Sequence, residues 1–175
     1  VDMIASIFWI VAITNAFNLI DNMDGLAGGV GVIALMFLAA VFIKDGYVIQ
    51  AVIALSLMGS LSGFLLYNFN PASIYMGDAG SLFVGFTLAA LSLQSVSKQG
   101  GALAAVSVPC LVLLIPLLDM ALVSATRILT GRSVAQGGRD HSSHRLVALG
   151  LSERKAVLVL YGLAFTAGLV AFWMS

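Results

Sequence analysis

The chain has 175 residues, of which 61% are hydrophobic and 9% charged, and its formal charge is zero. Soluble domains carry about 25% charged residues, and a soluble fold of this size leaves too much surface in water to hide so many apolar side chains. The solvent for most of the chain is therefore lipid. The balanced charge excludes a basic nucleic-acid-binding face, and the single cysteine, Cys110, excludes an intrachain disulfide or a cysteine-metal framework.

The apolar runs are continuous and do not alternate with period two, which argues against a barrel. They predict an all-α, polytopic helical membrane protein forming one domain over 1–175. Six apolar segments fall at 3–20, 26–43, 48–66, 81–95, 102–123 and 156–174, giving about six spans at about 20 residues each. The fourth is short for a span. The chain opens at Val1 inside an apolar stretch and carries no signal-peptide pattern, so it reads as the later part of a longer protein that has further N-terminal helices.

The first segment ends in "NAFNLIDNMDGLAGG", residues 15–29, where Asn15, Asn18, Asp21 and Asp24 recur at every third position along one side of a helix end. Carboxylates near membrane depth cost a few kcal/mol each on insertion scales and are functional or paired. A cap on the next helix would account for Asp24 alone, but not for the whole ladder. Gly25, Gly28, Gly29 and Gly31 then permit close approach of a backbone or a neighbouring helix. The second segment ends in the tight turn "KDGY", and the third contains "GSLSG", a small-residue face compatible with a homodimer.

The connector "YNFNPASIYMGDAGSL", residues 67–82, reads as a turn at Asn68, Asn70 and Pro71, followed by Asp78 where the fourth segment opens. Asp78 suits a helix N-cap or, together with Asn18 or Asp21, a hard divalent cation that wants oxygen ligands and substrate phosphate. Tyr75 suits stacking on a base or anchoring at the membrane interface. The fifth segment holds Asp119 in "IPLLDMALV", two helical turns before Arg127, which suits an internal structural pair or, as the alternative, a group pointing into the site. Beyond it "GRSVAQGGRDHSSHRL", residues 131–146, sets arginines and the two histidines, His141 and His144, in a Gly-rich loop. Arginine forks suit phosphate, the loop also suits acid/base work, and lipid headgroups would suit a solvated basic loop as well. The ligand set is too poor for zinc.

If each segment crosses once, the connectors at 21–25, 67–80 and 124–155 share one side, and those at 44–47 and 96–101 the other. Arg127, Arg132, Arg139, Arg145, Arg154 and Lys155 lie on the first side, and only Lys44 and Lys98 on the second. The positive-inside bias makes the first side cytoplasmic. Carboxylate and amide oxygens for a cation, arginines for phosphates and an aromatic for a base thus gather on one face. These are the parts needed for phosphoryl transfer, which depends on positioning and charge neutralisation.

"NAFNLIDNMDGLAGG", "NFNPASIYMGDAGSL" and "RDHSSHRL", in this order between these spans, resemble the polyprenyl-phosphate N-acetylhexosamine-1-phosphate transferases. That family includes the bacterial lipid I-forming enzymes, the eukaryotic dolichyl-phosphate enzymes and those that start O-antigen and teichoic-acid linkage units. The resemblance covers essentially the whole chain. The Arg-Asp-His-x-x-His loop is more similar to the undecaprenyl-phosphate GlcNAc-1-phosphate branch than to the lipid I branch, which shows consecutive histidines. The resemblance implies a multi-pass plasma-membrane enzyme that transfers sugar 1-phosphate from a UDP-N-acetylhexosamine to a polyprenyl phosphate and releases UMP. The implied cofactor is Mg²⁺, with Mn²⁺ as its alternative. It also implies catalytic roles for Asp21, Asp78 and His141, metal binding by Asn18 and Asp78, and substrate contacts by Asn15, Asp24, Asn68, Tyr75, Arg139 and His144. An earlier Asp-Asp-rich family motif does not occur here, so residues 1–175 alone are expected to be inactive. Two other readings compete. One is a transporter whose polar residues line a substrate pathway; the other is a non-catalytic paralogue that binds nucleotide sugar.

Overall fold

A computed structural model describes residues 3–95, 102–133, 138 and 140–175. Among them lie eight helices: α1 (Met3–Ile20), α2 (Leu26–Lys44), α3 (Val48–Asn68), α4 (Gly77–Gln94), α5 (Ala102–Val112), α6 (Leu114–Leu129), α7 (Ser142–Ala148) and α8 (Glu153–Met174). Helices follow from the solvent, because in lipid each backbone N–H and C=O has to be bonded within its own segment. Four helices (α1, α2, α3 and α8) are long and apolar enough to cross a membrane, and α5 with α6 makes a fifth if the bent pair is one span. The fourth apolar segment of the sequence is α4, whose 18 residues begin with the polar run Gly77–Ser81.

The fifth segment differs from its expected course. It was expected to run to residue 123 and give way to a loop at Ser124, yet it breaks at Leu113 and continues as helix to Leu129, turned by 81°. Pro116 explains where it breaks. Its ring would collide with the Val112 carbonyl four residues back, and it has no N–H to bond there, whereas in the first turn of a new helix neither defect matters.

The apolar α2 lies at the centre, packed on α3 and α8, while α1 packs on α4 and α6. Large apolar side chains left outside, among them Phe8 and Val11 on α1, Ile49 and Val52 on α3, and Phe165 and Trp173 on α8, face the lipid. Close approach at the centre depends on glycine. A Cβ at Gly85 would sit 3.1 Å from the Thr14 carbonyl oxygen, which is what lets α4 lie against α1. A Cβ at Gly29 would coincide with the ring of Tyr161, whose hydroxyl donates to the Gly25 carbonyl. Gly29→Ala is therefore expected to displace α8 from the start of α2 and destabilise the bundle by about 1–3 kcal/mol, read as a lowered thermal midpoint in detergent. Gly162→Ala, which meets open space on α8, serves as the matched control.

The two ends of the bundle differ. At one end are the Lys44–Gly46 turn, the Gln50–Gln94 hydrogen bond at 3.1 Å, and Lys44 over the Phe172 ring at 5.5 Å. The other end gathers the finish of α1, the starts of α2, α4 and α8, the finish of α3, and α7. Arg127, Arg132, Arg145 and Arg154 all make their contacts at this second end. Lys98 lies outside the described residues.

Candidate active site

Three connectors that are distant in sequence are tied together by side chains. Asp24 accepts the Ala72 N–H at 2.9 Å and the Asn70 amide at 3.4 Å, joining the first connector to the second. Asn68, 3% exposed, accepts the Gly25 N–H at 3.2 Å and donates to the Ile74 carbonyl at 2.9 Å. The Ser143 hydroxyl donates to Asn22 at 2.7 Å, bringing the third connector to the first. From α8, Glu153 accepts the Asn70 amide at 2.9 Å and Arg154 donates to the Asn70 carbonyl at 2.8 Å. Gly25 turns the chain between α1 and α2 at φ 78°, a left-handed conformation that glycine adopts without strain.

Between these struts opens a cleft of about 370 Å³ lined by Asp21, Asn22, Met23, Asp24, Asn68, Tyr75, Gly77 and Asp78. Asn18, in the last turn of α1, donates to Asp78 at 3.0 Å and to Ser81 at 2.8 Å. Asp78 stands in the exposed first turn of α4, where the helix dipole favours a carboxylate. The N-cap of α4 is Met76, so Asp78 is not spent on capping. Asp24 is no cap either, since α2 is capped by Gly25 without a side-chain bond. Tyr75 is 75% exposed at the rim.

Asp21 is half-buried between these groups. Burial pushes its pKa up, the Gly77 N–H that it accepts pulls it down, and the charge of Asp78 raises it, for a net rise. A carboxyl whose folded pKa lies above its unfolded value favours the folded state while protonated, and that contribution is lost as pH rises from the unfolded value through the folded one. With divalent cations chelated, Asp21→Asn is thus expected to raise the thermal midpoint at pH 7. The gain should vanish as pH falls into the ordinary carboxylate range, and a gain independent of pH would contradict this. Among the described residues no group of three His, Cys, Asp or Glu could hold a metal. Two neighbouring carboxylates and an amide fit a hard cation that keeps water and shares substrate phosphate, not a cation enclosed by protein.

The remaining sequence expectations fare differently. Asn15 donates to the Val11 carbonyl of its own helix at 2.7 Å and does not line the cleft. Asp24 and Asn68 do line it, but their polar atoms hold connectors together. His141 is 5% exposed, with Nδ1 2.7 Å from Asp119, and lies outside the cleft lining; the His144 ring is 6.1 Å from it, edge to face. Arg139 lies outside the described residues. The expected Asp119–Arg127 pair does not form: Arg127 reaches Asp140 at 3.4 Å, while Asp119 turns to His141 and Ser142. Asn22, Ser81, Ser143 and Glu153 were missed by sequence reasoning. Only Ser81 had a local signal, one helical turn beyond Asp78.

The description "Glycosyl transferase family 4" belongs to a family model that matches residues 1–96, the part that holds Asn18, Asp21, Asp24, Asn68, Tyr75 and Asp78. The chain belongs to glycosyl transferase family 4. Among its relatives is a "Probable undecaprenyl-phosphate N-acetylglucosaminyl 1-phosphate transferase" of Bacillus subtilis (strain 168), 42% identical over 91% of this chain and 44% of the relative. A "Decaprenyl-phosphate N-acetylglucosaminephosphotransferase" of Mycobacterium leprae (strain TN) is 37% identical over 93% of this chain and 44% of the relative. A "Phospho-N-acetylmuramoyl-pentapeptide-transferase" of Staphylococcus aureus (strain JH9) is 33% identical over 97% of this chain and 50% of the relative. The chain thus spans about half the length of these family 4 relatives.

Proposed function

We propose that this chain carries the nucleotide-sugar side of a UDP-N-acetylhexosamine:polyprenyl-phosphate sugar-1-phosphate transferase, with GlcNAc as the favoured sugar. One observation carries the reading: Asn18 at the end of α1, Asp21 in the first connector and Asp78 at the start of α4 meet beside a cleft rimmed by Tyr75 at the arginine-bearing end of the bundle. In the reaction, a phosphate oxygen of the lipid forms a bond to the β-phosphorus of the UDP-sugar. The bond from that phosphorus to the bridging oxygen breaks, and its electron pair leaves with UMP. Asp78 and Asn18, with Asp21 beside them, would hold Mg²⁺, which when bound supplies positive charge against the developing charge on the diphosphate. Tyr75 would stack on the uracil at the rim. Arg139, His141 and His144 would serve the diphosphate and sugar from the third connector. The arginines at this end favour a cytoplasmic active face in a plasma membrane, and the exposed small-residue strip at Gly59 and Gly63 on α3 would suit a second copy.

Full-length protein supplied with UDP-GlcNAc, polyprenyl phosphate and Mg²⁺ is expected to release UMP and form a lipid diphosphate-sugar in equal amounts. Chelating the metal should stop both, and Mn²⁺ should restore them in part. Release of UDP instead would mean transfer of the sugar alone and would overturn the reading. Uptake driven by a substrate gradient without UMP would favour the transporter, and nucleotide binding without products the non-catalytic paralogue.

A further inference from the structure

Asp119 stands in the bent fifth segment, 1% exposed, and both of its oxygens are engaged by the start of α7, within the third connector. Oδ2 lies 2.7 Å from His141 Nδ1, while Oδ1 accepts the Ser142 N–H at 2.7 Å and the Ser142 hydroxyl at 2.6 Å. One residue further on, Ser143 is bonded at 2.7 Å to Asn22, which lines the cleft. A carboxylate within an apolar helix is costly, and holding Ser142 alone would require only a neutral acceptor. What the ionised carboxylate adds is a demand on His141. It accepts only, so Nδ1 has to carry the hydrogen, and in the neutral ring Nε2 is then the acceptor.

We propose that Asp119 is a positioning residue that acts through His141, fixing its ring orientation and its Nδ1–H tautomer while anchoring the start of α7 beside the cleft. The effect on turnover rests on the transferase reading above, but the tautomer does not. Asn at position 119 separates this role from a structural one. Its amide has the size of the carboxylate, and its oxygen can keep the Ser142 bonds. Its nitrogen then faces His141 as a donor and reverses the demand at Nδ1.

Nitrogen-15 NMR of the histidine rings in full-length protein, with the His141 signal assigned by difference against His141→Gln, is expected to show the Nδ1–H form or the imidazolium. Asp119→Asn should move that signal to the Nε2–H form, and Ser142→Ala should not. UMP release should fall by about tenfold or more in Asp119→Asn, whereas adding Asp119→Asn to His141→Gln should change the rate less than twofold. A wild-type ring in the Nε2–H form would overturn the proposal and needs no variant to fold. An equal further loss on the His141→Gln background would overturn it as well. Wild-type protein that releases no UMP yet shows the Nδ1–H ring, lost in Asp119→Asn, would leave Asp119 in this role and sink the transferase reading instead.

Discussion

Asp78→Asn is expected to lower UMP release about 10²–10³-fold, the scale on which removing one electrostatic contact to a developing charge acts, while the fold is kept. Asp78 is exposed and its side chain accepts the Asn18 amide, which an Asn oxygen at position 78 can still accept. Surface changes of this kind shift stability by about 0.5 kcal/mol or less. What disappears is the second negative charge beside Asp21, and with it half of the carboxylate pair that would attract a hard cation. The affinity for Mg²⁺ and the rate should therefore fall together, and excess Mg²⁺ should restore part of the rate. Wild-type turnover by Asp78→Asn would remove the metal role from this position. A large fall in thermal midpoint would show that its role is structural.

Asn68→Ala is expected to act in the opposite order, on stability first. The side chain satisfies a buried N–H of the first connector and a carbonyl of the second. Truncation leaves both without a partner, at about 1–3 kcal/mol for each group. The two walls of the cleft then come apart, so KM for the UDP-sugar should rise while the thermal midpoint falls. Asn68→Asp keeps an acceptor for Gly25 but turns a second acceptor on the Ile74 carbonyl, and should lie between wild type and Ala. If Asn68→Ala kept full stability and lost activity, the residue would be a ligand contact and not a strut.

These residues also show where the sequence was readable and where it was not. The boundaries of α1, α2 and α3 follow from the lengths of their apolar runs, and the gathering of polar connectors at one end followed from counting crossings. The break at Leu113 was written in Pro116, but an unbroken apolar run concealed it. Asp24 and Asn68 stood out as polar residues near a site. Their work as struts depends on partners in other connectors, which periodicity within one segment cannot reveal. Asp119 was conspicuous as a charge in an apolar helix. Its partner proved to be His141, 22 residues away, and not Arg127, which lies about 12 Å further along the same helix, too far for a direct pair.

The transferase reading requires the three connectors to meet at one end of the bundle, with the third touching the first. The most direct measurement replaces Asn22 and Ser143 with cysteine in full-length protein carrying Cys110→Ser, followed by mild oxidation in native membranes. Their side chains meet at 2.7 Å, so a disulfide between cysteines there requires at most a small backbone adjustment toward the usual Cα separation of about 4.4–6.8 Å. A reducible cross-link between positions 22 and 143, and none between 44 and 143, is the predicted result. No cross-link at 22 and 143, with both cysteines labelled by reagents applied from opposite sides of the membrane, would contradict the account.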